Sequence, residues 1–151
     1  MAHMNHTTKL NDLVGKEIHV SDWFVIDQEM VNQFAKMSLD QQWIHVDLDR
    51  ASNELPVTGT IVHGLLTLSM ITRCMKKVIL PLDAKVKLLY GLDRVRFTAP
   101  NPVGRNLRGR VTLSKYEGKI NSIKIFYHIK FELENQTKPV CVADFIVQYV
   151  L

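Results

Sequence analysis

Three features of the 151-residue sequence predict an α+β fold. Apolar residues run from Ile61 through Leu65, Leu66, Met70, Ile71, Met75 and Val78 to Ile79 and cover nearly the whole circumference of a helix, which calls for burial on more than one side. The second half of the chain reads as four strands joined by tight connections. Within it, Ile123, Ile125, Tyr127, Ile129, Phe131 and Leu133 alternate with Ser122, Lys124, His128, Lys130 and Glu132, the period of a half-buried strand. An antiparallel sheet with a buried helix packed across it satisfies all three.

The elements follow in order. Met1-Ala2-His3-Met4 has the form of a cloning remnant, so His3 and His6 carry no functional weight. Residues 1–16 are polar and expected to be partly loose, residues 1–8 above all. Ile18-His19-Val20 and Trp23-Phe24-Val25-Ile26 are β-branched and aromatic enough for a short strand or a paired extended segment. Asp27 is placed as an N-cap, with Glu29 in the first turn and Met30, Val31, Phe34, Ala35 and Met37 as an apolar stripe; this predicts a helix from Gln28 to Ser38. No period holds from Leu39 to Val46. Asp47 can cap a turn over Leu48 to Ser52, and Pro56 and Gly59 mark a loop. The central helix is predicted from Thr60 to Ile79, with Arg73, Lys76 and Lys77 at its cation-favouring end and Pro81 as a stop.

Lys85 to Phe97 then reads as a strand broken near Gly91, and Leu107 to Tyr116 as the next after a turn through Pro100, Pro102 and Gly104. Glu117-Gly118-Lys119 has turn composition, as does Glu134 to Lys138. Val140 to Leu151 is apolar on both faces apart from Asp144 and Gln148, which predicts a strand covered on both sides, by the helix and by a partner or neighbour. With no repeat or linker, one domain spanning 1–151 is expected.

Composition narrows the function. Apolar content of 46% and charged content of 23% are ordinary globular values. The apolar run from Leu65 to Ile71 is interrupted by Thr67 and Ser69 and is too short for a bilayer, and no secretory pattern is present, so a cytoplasmic, non-membrane protein is expected. Cys74 and Cys141 have no partner at metal-ligand spacing and read as small buried hydrophobes in a reducing compartment. The net charge of +4 is scattered, without a basic run interleaved with aromatics, so nucleic acid is not expected as a partner.

The chemistry concentrates in Asp40 to Asp47 and Gly59 to Gly64. An acid and an imidazole can hold one water between them, one taking a proton while the other supplies one, which is what adding water across an activated double bond requires. Spacing alone favours Asp40 as a helix-terminal turn residue and His45 as a hydrogen-bonded loop histidine. Asp47 reads as a cap. Gly64, in the first turn of a buried helix, offers an unshielded N–H at a positive dipole end, a donor suited to an oxygen gaining charge. Close helix-to-sheet packing is the competing reason for a glycine there. His63 either lines the site or bonds to backbone. No set of His, Cys, Asp and Glu has convincing zinc spacing, so no metal is expected.

Asp40-Gln41-Gln42-Trp43-Ile44-His45-Val46-Asp47, followed by Gly59-Thr60-Ile61-Val62-His63-Gly64-Leu65-Leu66, resembles the MaoC-like dehydratase family, and within it the branch that includes nodulation protein N. Tyr90 to Pro100 and Pro102-Val103-Gly104 extend the likeness over nearly the entire chain. The resemblance implies a hot-dog fold, a long central helix wrapped by an antiparallel sheet, as a homodimer. It implies hydration of trans-2-enoyl-CoA to R-3-hydroxyacyl-CoA, or the reverse dehydration, with no metal or redox cofactor. Asp40 and His45 match the family's catalytic pair and the Gly64 N–H its donor to the thioester oxygen; Thr72 falls where relatives carry a site hydroxyl. Many relatives have Gly before the aspartate and Asn-Pro where this chain has Gln42 and Trp43; Leu39 replaces the glycine. Gln42 can stand in for the asparagine amide, whereas Trp43 changes the shape of the pocket wall. His63 joins them as a substrate-binding candidate, and Arg94, Arg96, Arg105, Arg108 and Arg110 offer charge for the phosphates of CoA. A non-catalytic acyl-thioester binding module and an acyl-CoA thioesterase on the same fold are the alternatives.

Overall fold

The computed structural model describes residues 9–151; the expected cloning remnant, His3, His6 and the looseness expected of residues 1–8 lie outside the described residues. Six strands form one antiparallel sheet. They are β1 (Glu17–Val20), β2 (Phe24–Val25), β3 (Val86–Phe97), β4 (Asn106–Lys119), β5 (Ser122–Leu133) and β6 (Cys141–Val150). The order is β1-β4-β5-β6-β3, with β2 also pairing to β4. The hairpins β4–β5 and β5–β6 supply the middle of the sheet, and β3 returns after the helices to close the β6 edge.

Past a short helical stretch at residues 9–11, the helices among the described residues are α1 (Gln28–Ser38), α2 (Trp43–Val46), α3 (Leu48–Glu54), α4 (Gly64–Ser69) and α5 (Ile71–Met75). Asp27 caps α1 by accepting from the Met30 N–H at 2.9 Å, as its sequence position predicts. Asp47 does the same for α3 through the Arg50 N–H at 3.0 Å, and that helix runs to Glu54, beyond the Ser52 expected.

The central helix departs from expectation at both ends and in the middle. Residues 60–62 pair laterally: the Ile61 N–H donates to Ile44 O, the Val62 N–H to Asn101 O, and Ile61 bridges Pro102. Those bonds hold the segment extended, so helix begins only at Gly64. At Met70 it breaks into α4 and α5, where the Ser69 hydroxyl donates to Leu66 O and the Thr72 hydroxyl to Ser69 O, side-chain bonds that compete with the helical ladder. It ends at Met75, and Ile79 is 89% exposed.

Other differences have equally local causes. Leu10 is fully buried and the Gly15 N–H donates to Leu113 O at 2.7 Å, so residues 9–16 are pinned to the sheet where looseness was expected. Glu117-Gly118-Lys119 continue β4, because pairing with β5 persists to Lys119 opposite Ser122 and the turn is made by Ile120-Asn121. The break expected near Gly91 is present as a register shift between Leu89 and Gly91.

Val111, Leu113, Ile125, Ile129 and Phe131 form the sheet's side of the core and are fully buried against Ile71 and Cys74 of the helix, 1% and 0% exposed. Tyr127 and Tyr149 meet there hydroxyl to hydroxyl at 2.6 Å, each satisfying the other's buried oxygen. Both cysteines are fully buried, and burial pushes the Cys141 thiol up to about 11. β6 alternates on the face away from the helix, where Val142, Asp144 and Gln148 stay half-buried. No helix of the described residues is long and apolar enough to cross a membrane.

Candidate active site

The turn after α1 and the start of α4 come together beneath the strand end at Phe97. Leu39 ends α1 in the left-handed region, at φ 60°, and this swings Asp40 off the helix axis. α2, a single turn, then carries His45 back toward the core, where it is 6% exposed. His45 Nδ1 lies 2.6 Å from Ile61 O. Because a carbonyl can only accept, Nδ1 carries the proton and Nε2 keeps a lone pair. Burial lowers the His45 pKa below its ordinary 6.5, outweighing the Ile61 hydrogen bond, which raises it; nearby His63 adds to the lowering and Asp40 opposes it. The imidazole is therefore neutral at neutral pH.

His63 is 2% exposed and stacks on His45 with ring centroids 3.7 Å apart and planes 23° from parallel. Its Nε2–H donates to the backbone carbonyl of Asp40 at 2.9 Å, tying the α1–α2 turn to the start of α4. His63 Nδ1 is buried without a hydrogen-bond partner. A carboxylate oxygen of Asp40 and one ring nitrogen each of His45 and His63 lie within 4.8 Å of one another. The sequence marks the two segments that carry these groups, and the fold brings them together. His45 Nδ1–H and His63 Nε2–H each donate to a backbone carbonyl, so each ring keeps one nitrogen lone pair.

A cavity of about 440 Å³ opens beside these groups, bordered by His45, Gly64, Thr67, Phe97, Asn101 and Val140. Gly64 is the first residue of α4, so its N–H has no acceptor within the helix. A Cβ at this position would sit 3.1 Å from the Phe97 ring. The glycine admits this close packing of strand on helix, and it also borders the cavity.

The remaining candidates lie outside this cavity in the single chain. Gln42 is exposed at the N-cap of α2 and makes no capping bond with its side chain. Trp43 is half-buried beneath the Arg50 guanidinium, 4.1 Å from its ring centroid. Thr72 is exposed on α5. Arg94, at φ 48°, pairs with Asp144, and Arg96 donates to Val95 O, both on the edge strand β3. Arg108 and Arg110 share Glu132, Arg110 also holds Glu17, and Arg105 donates to Glu134 O. Sequence reasoning missed Thr67, Phe97 and Asn101; the available signals were a threonine one helical turn past Gly64 and an asparagine locked between Pro100 and Pro102.

A protein-family model described as "MaoC like domain" matches residues 9–131. The chain is 40% identical over 137 residues to "3-hydroxyacyl-thioester dehydratase Z" of Mycobacterium tuberculosis, covering 90% of each. It is 40% identical over 147 residues to "Nodulation protein N" of Rhizobium meliloti, covering 93% of this chain and 91% of the relative. Its fold matches the crystal structure of a MaoC-like dehydratase from Rhodospirillum rubrum with a TM-score of 0.74 at 19% identity, over 93% of this chain and 95% of that one.

Proposed function

The chain belongs to the MaoC-like dehydratase family and has its hot-dog fold, and on that premise we propose that it hydrates trans-2-enoyl thioesters to R-3-hydroxyacyl thioesters, or runs the reverse dehydration. The observation that carries the reading is the approach of the Asp40 carboxylate to the ring nitrogen of a neutral histidine at the mouth of a cavity. A span of up to 4.8 Å suits one water making two hydrogen bonds of ~2.8 Å. The relative's name, a 3-hydroxyacyl-thioester dehydratase, supports the same reaction.

In the proposed mechanism the water sits between Asp40 and His45 Nε2. One of them takes a proton from the water as the water's oxygen bonds to C3 of the enoyl thioester and the C2–C3 π bond opens. That same proton is then passed to C2, so OH and H have been added and the pair returns to its starting state. Charge builds on the thioester oxygen as the C2–C3 double bond opens, and the Gly64 N–H at the start of α4 is the donor that meets it. His63 takes a positioning part, through its bond to the Asp40 carbonyl and its stack on His45. No step calls for a metal or redox cofactor; the thioester carrier, CoA or acyl carrier protein, belongs to the substrate.

The chain acts as one domain in this reading, paired with a second copy. β3 is an edge strand that exposes Val86, Leu88, Leu89, Tyr90 and Phe97 by 47% to 58%, and such a surface on an open edge favours pairing. In this reading Gln42, Trp43, Thr72, Arg94 and Arg96 act from the rim or across the pair. Hydration followed by loss of conjugated thioester absorbance over a series of enoyl-CoA chain lengths tests the reading. Turnover of at least one member is expected; CoA esters that bind and never react would favour an accessory module, and release of free thiol a thioesterase.

A further inference from the structure

Within the same cavity, the Asn101 side-chain amide donates from Nδ2 to Thr67 Oγ1 at 3.0 Å, a bond between two buried side chains, 6% and 2% exposed. Neither residue takes part in the proton transfers above. Three other buried polar side chains are bound to groups outside this pair: His45 to Ile61 O, His63 to Asp40 O and Thr60 to Gln28. Thr67 and Asn101 both border the cavity itself. Their mutual bond uses one N–H of an amide that has a second N–H and a carbonyl oxygen, and it uses Thr67 Oγ1 as acceptor, leaving the hydroxyl hydrogen to donate.

The pair is held rigidly. Asn101 stands between Pro100 and Pro102, whose rings fix φ. Its carbonyl accepts from the Val62 N–H at 2.8 Å, and the Val103 N–H donates to Thr60 O at 3.0 Å. Thr67 lies three residues past Gly64 on α4, roughly 4.5 Å further along the axis. With a thioester oxygen at the Gly64 N–H, that advance corresponds to about three or four C–C bonds of ~1.5 Å, which reaches the region of C5 of the acyl chain. A plain alkyl chain there would leave amide and hydroxyl groups dry and incompletely bonded, a costly arrangement. The residues bordering the cavity include no lysine or arginine to meet a carboxylate.

Resting on the proposed hydratase reading, we infer that Thr67 and Asn101 form a specificity subsite for an acyl thioester bearing an uncharged oxygen, hydroxyl or oxo, near C5. The subsite discriminates by the hydrogen bonds an oxygenated chain completes and an alkyl chain leaves unmade.

Binding of saturated ligands tests this apart from catalysis. Isothermal titration of the purified full chain with 5-oxohexanoyl-CoA, 5-hydroxyhexanoyl-CoA and hexanoyl-CoA is expected to give at least a tenfold preference for an oxygenated ligand. Asn101→Leu should cancel or reverse the preference, and the near-isosteric Thr67→Val should reduce it. Equal or tighter binding of hexanoyl-CoA by the unaltered chain overturns the inference, as does a preference that survives Asn101→Leu. Should Asn101→Leu fail to fold by circular dichroism, an unchanged preference in Thr67→Val overturns it. Crotonyl-CoA hydration without oxygen preference sinks the subsite and leaves the hydratase reading standing; absence of both binding and hydration sinks both.

Discussion

His45 owes its neutral state to burial, and that state has a pH signature. Its pKa lies below 6.5 in the folded chain, so the unfolded state takes up the proton first. Stability from this group is present above pH 6.5 and is lost as pH falls below that value. The acid limb of kcat/KM for enoyl-CoA hydration should accordingly lie below 6.5 if His45 must be neutral; a limb well above it would contradict the neutral imidazole. Leu39 presents a different residue-scale cost. It adopts φ 60° with its side chain 81% exposed, so it is strained and packs little in the single chain. Leu39→Gly should raise stability by about 0.5–1 kcal/mol, the relief of left-handed strain less glycine's extra unfolded-state entropy, read as a rise in melting temperature of roughly 2 °C. Asp40, His45 and Gly64 stood out in the sequence because acid, imidazole and glycine are chemically marked in a short span. Thr67 and Asn101 did not, since a hydrogen bond across 34 residues leaves no local periodicity.

The elements were legible wherever a cap or a strict period fixed them. α1 occupies Gln28–Ser38, and β5 occupies Ser122–Leu133, both as their patterns predict. Ile61 and Val62 were read into the central helix because apolar periodicity cannot register that their N–H groups bond sideways to Ile44 and Asn101. Gly118 has turn composition, yet it pairs with Ile123 inside the strand. Gly109 carries more structural weight than its place in β4 suggested. A Cβ there would meet Cys74 Sγ at 2.5 Å and Cys74 Cβ at 3.0 Å, so α5 rests directly on the strand backbone. Gly109→Ala should destabilise by about 1–3 kcal/mol in urea unfolding, and adding Cys74→Ala should recover part of the loss. A single mutant as stable as the parent chain would refute this packing.

At the scale of the whole molecule, the sheet is covered by helix on one face and open along β3. In the proposed pairing a second copy would seat on that edge and cover its apolar side chains; the sequence points to a partner only in general terms, from β6, whose outer face is half-buried in the single chain. Light scattering should give twice 17.4 kDa, and Leu88→Glu with Leu89→Glu should shift the mass toward the monomer; a monomeric parent chain would contradict the pairing. The central claim, that Asp40 and His45 add water to an enoyl thioester, is tested most directly by the rate of crotonyl-CoA hydration, measured side by side for the parent chain and Asp40→Asn. The expected result is formation of R-3-hydroxybutyryl-CoA by the parent chain and a loss of at least about 100-fold in the folded variant; equal rates for the two proteins would contradict it.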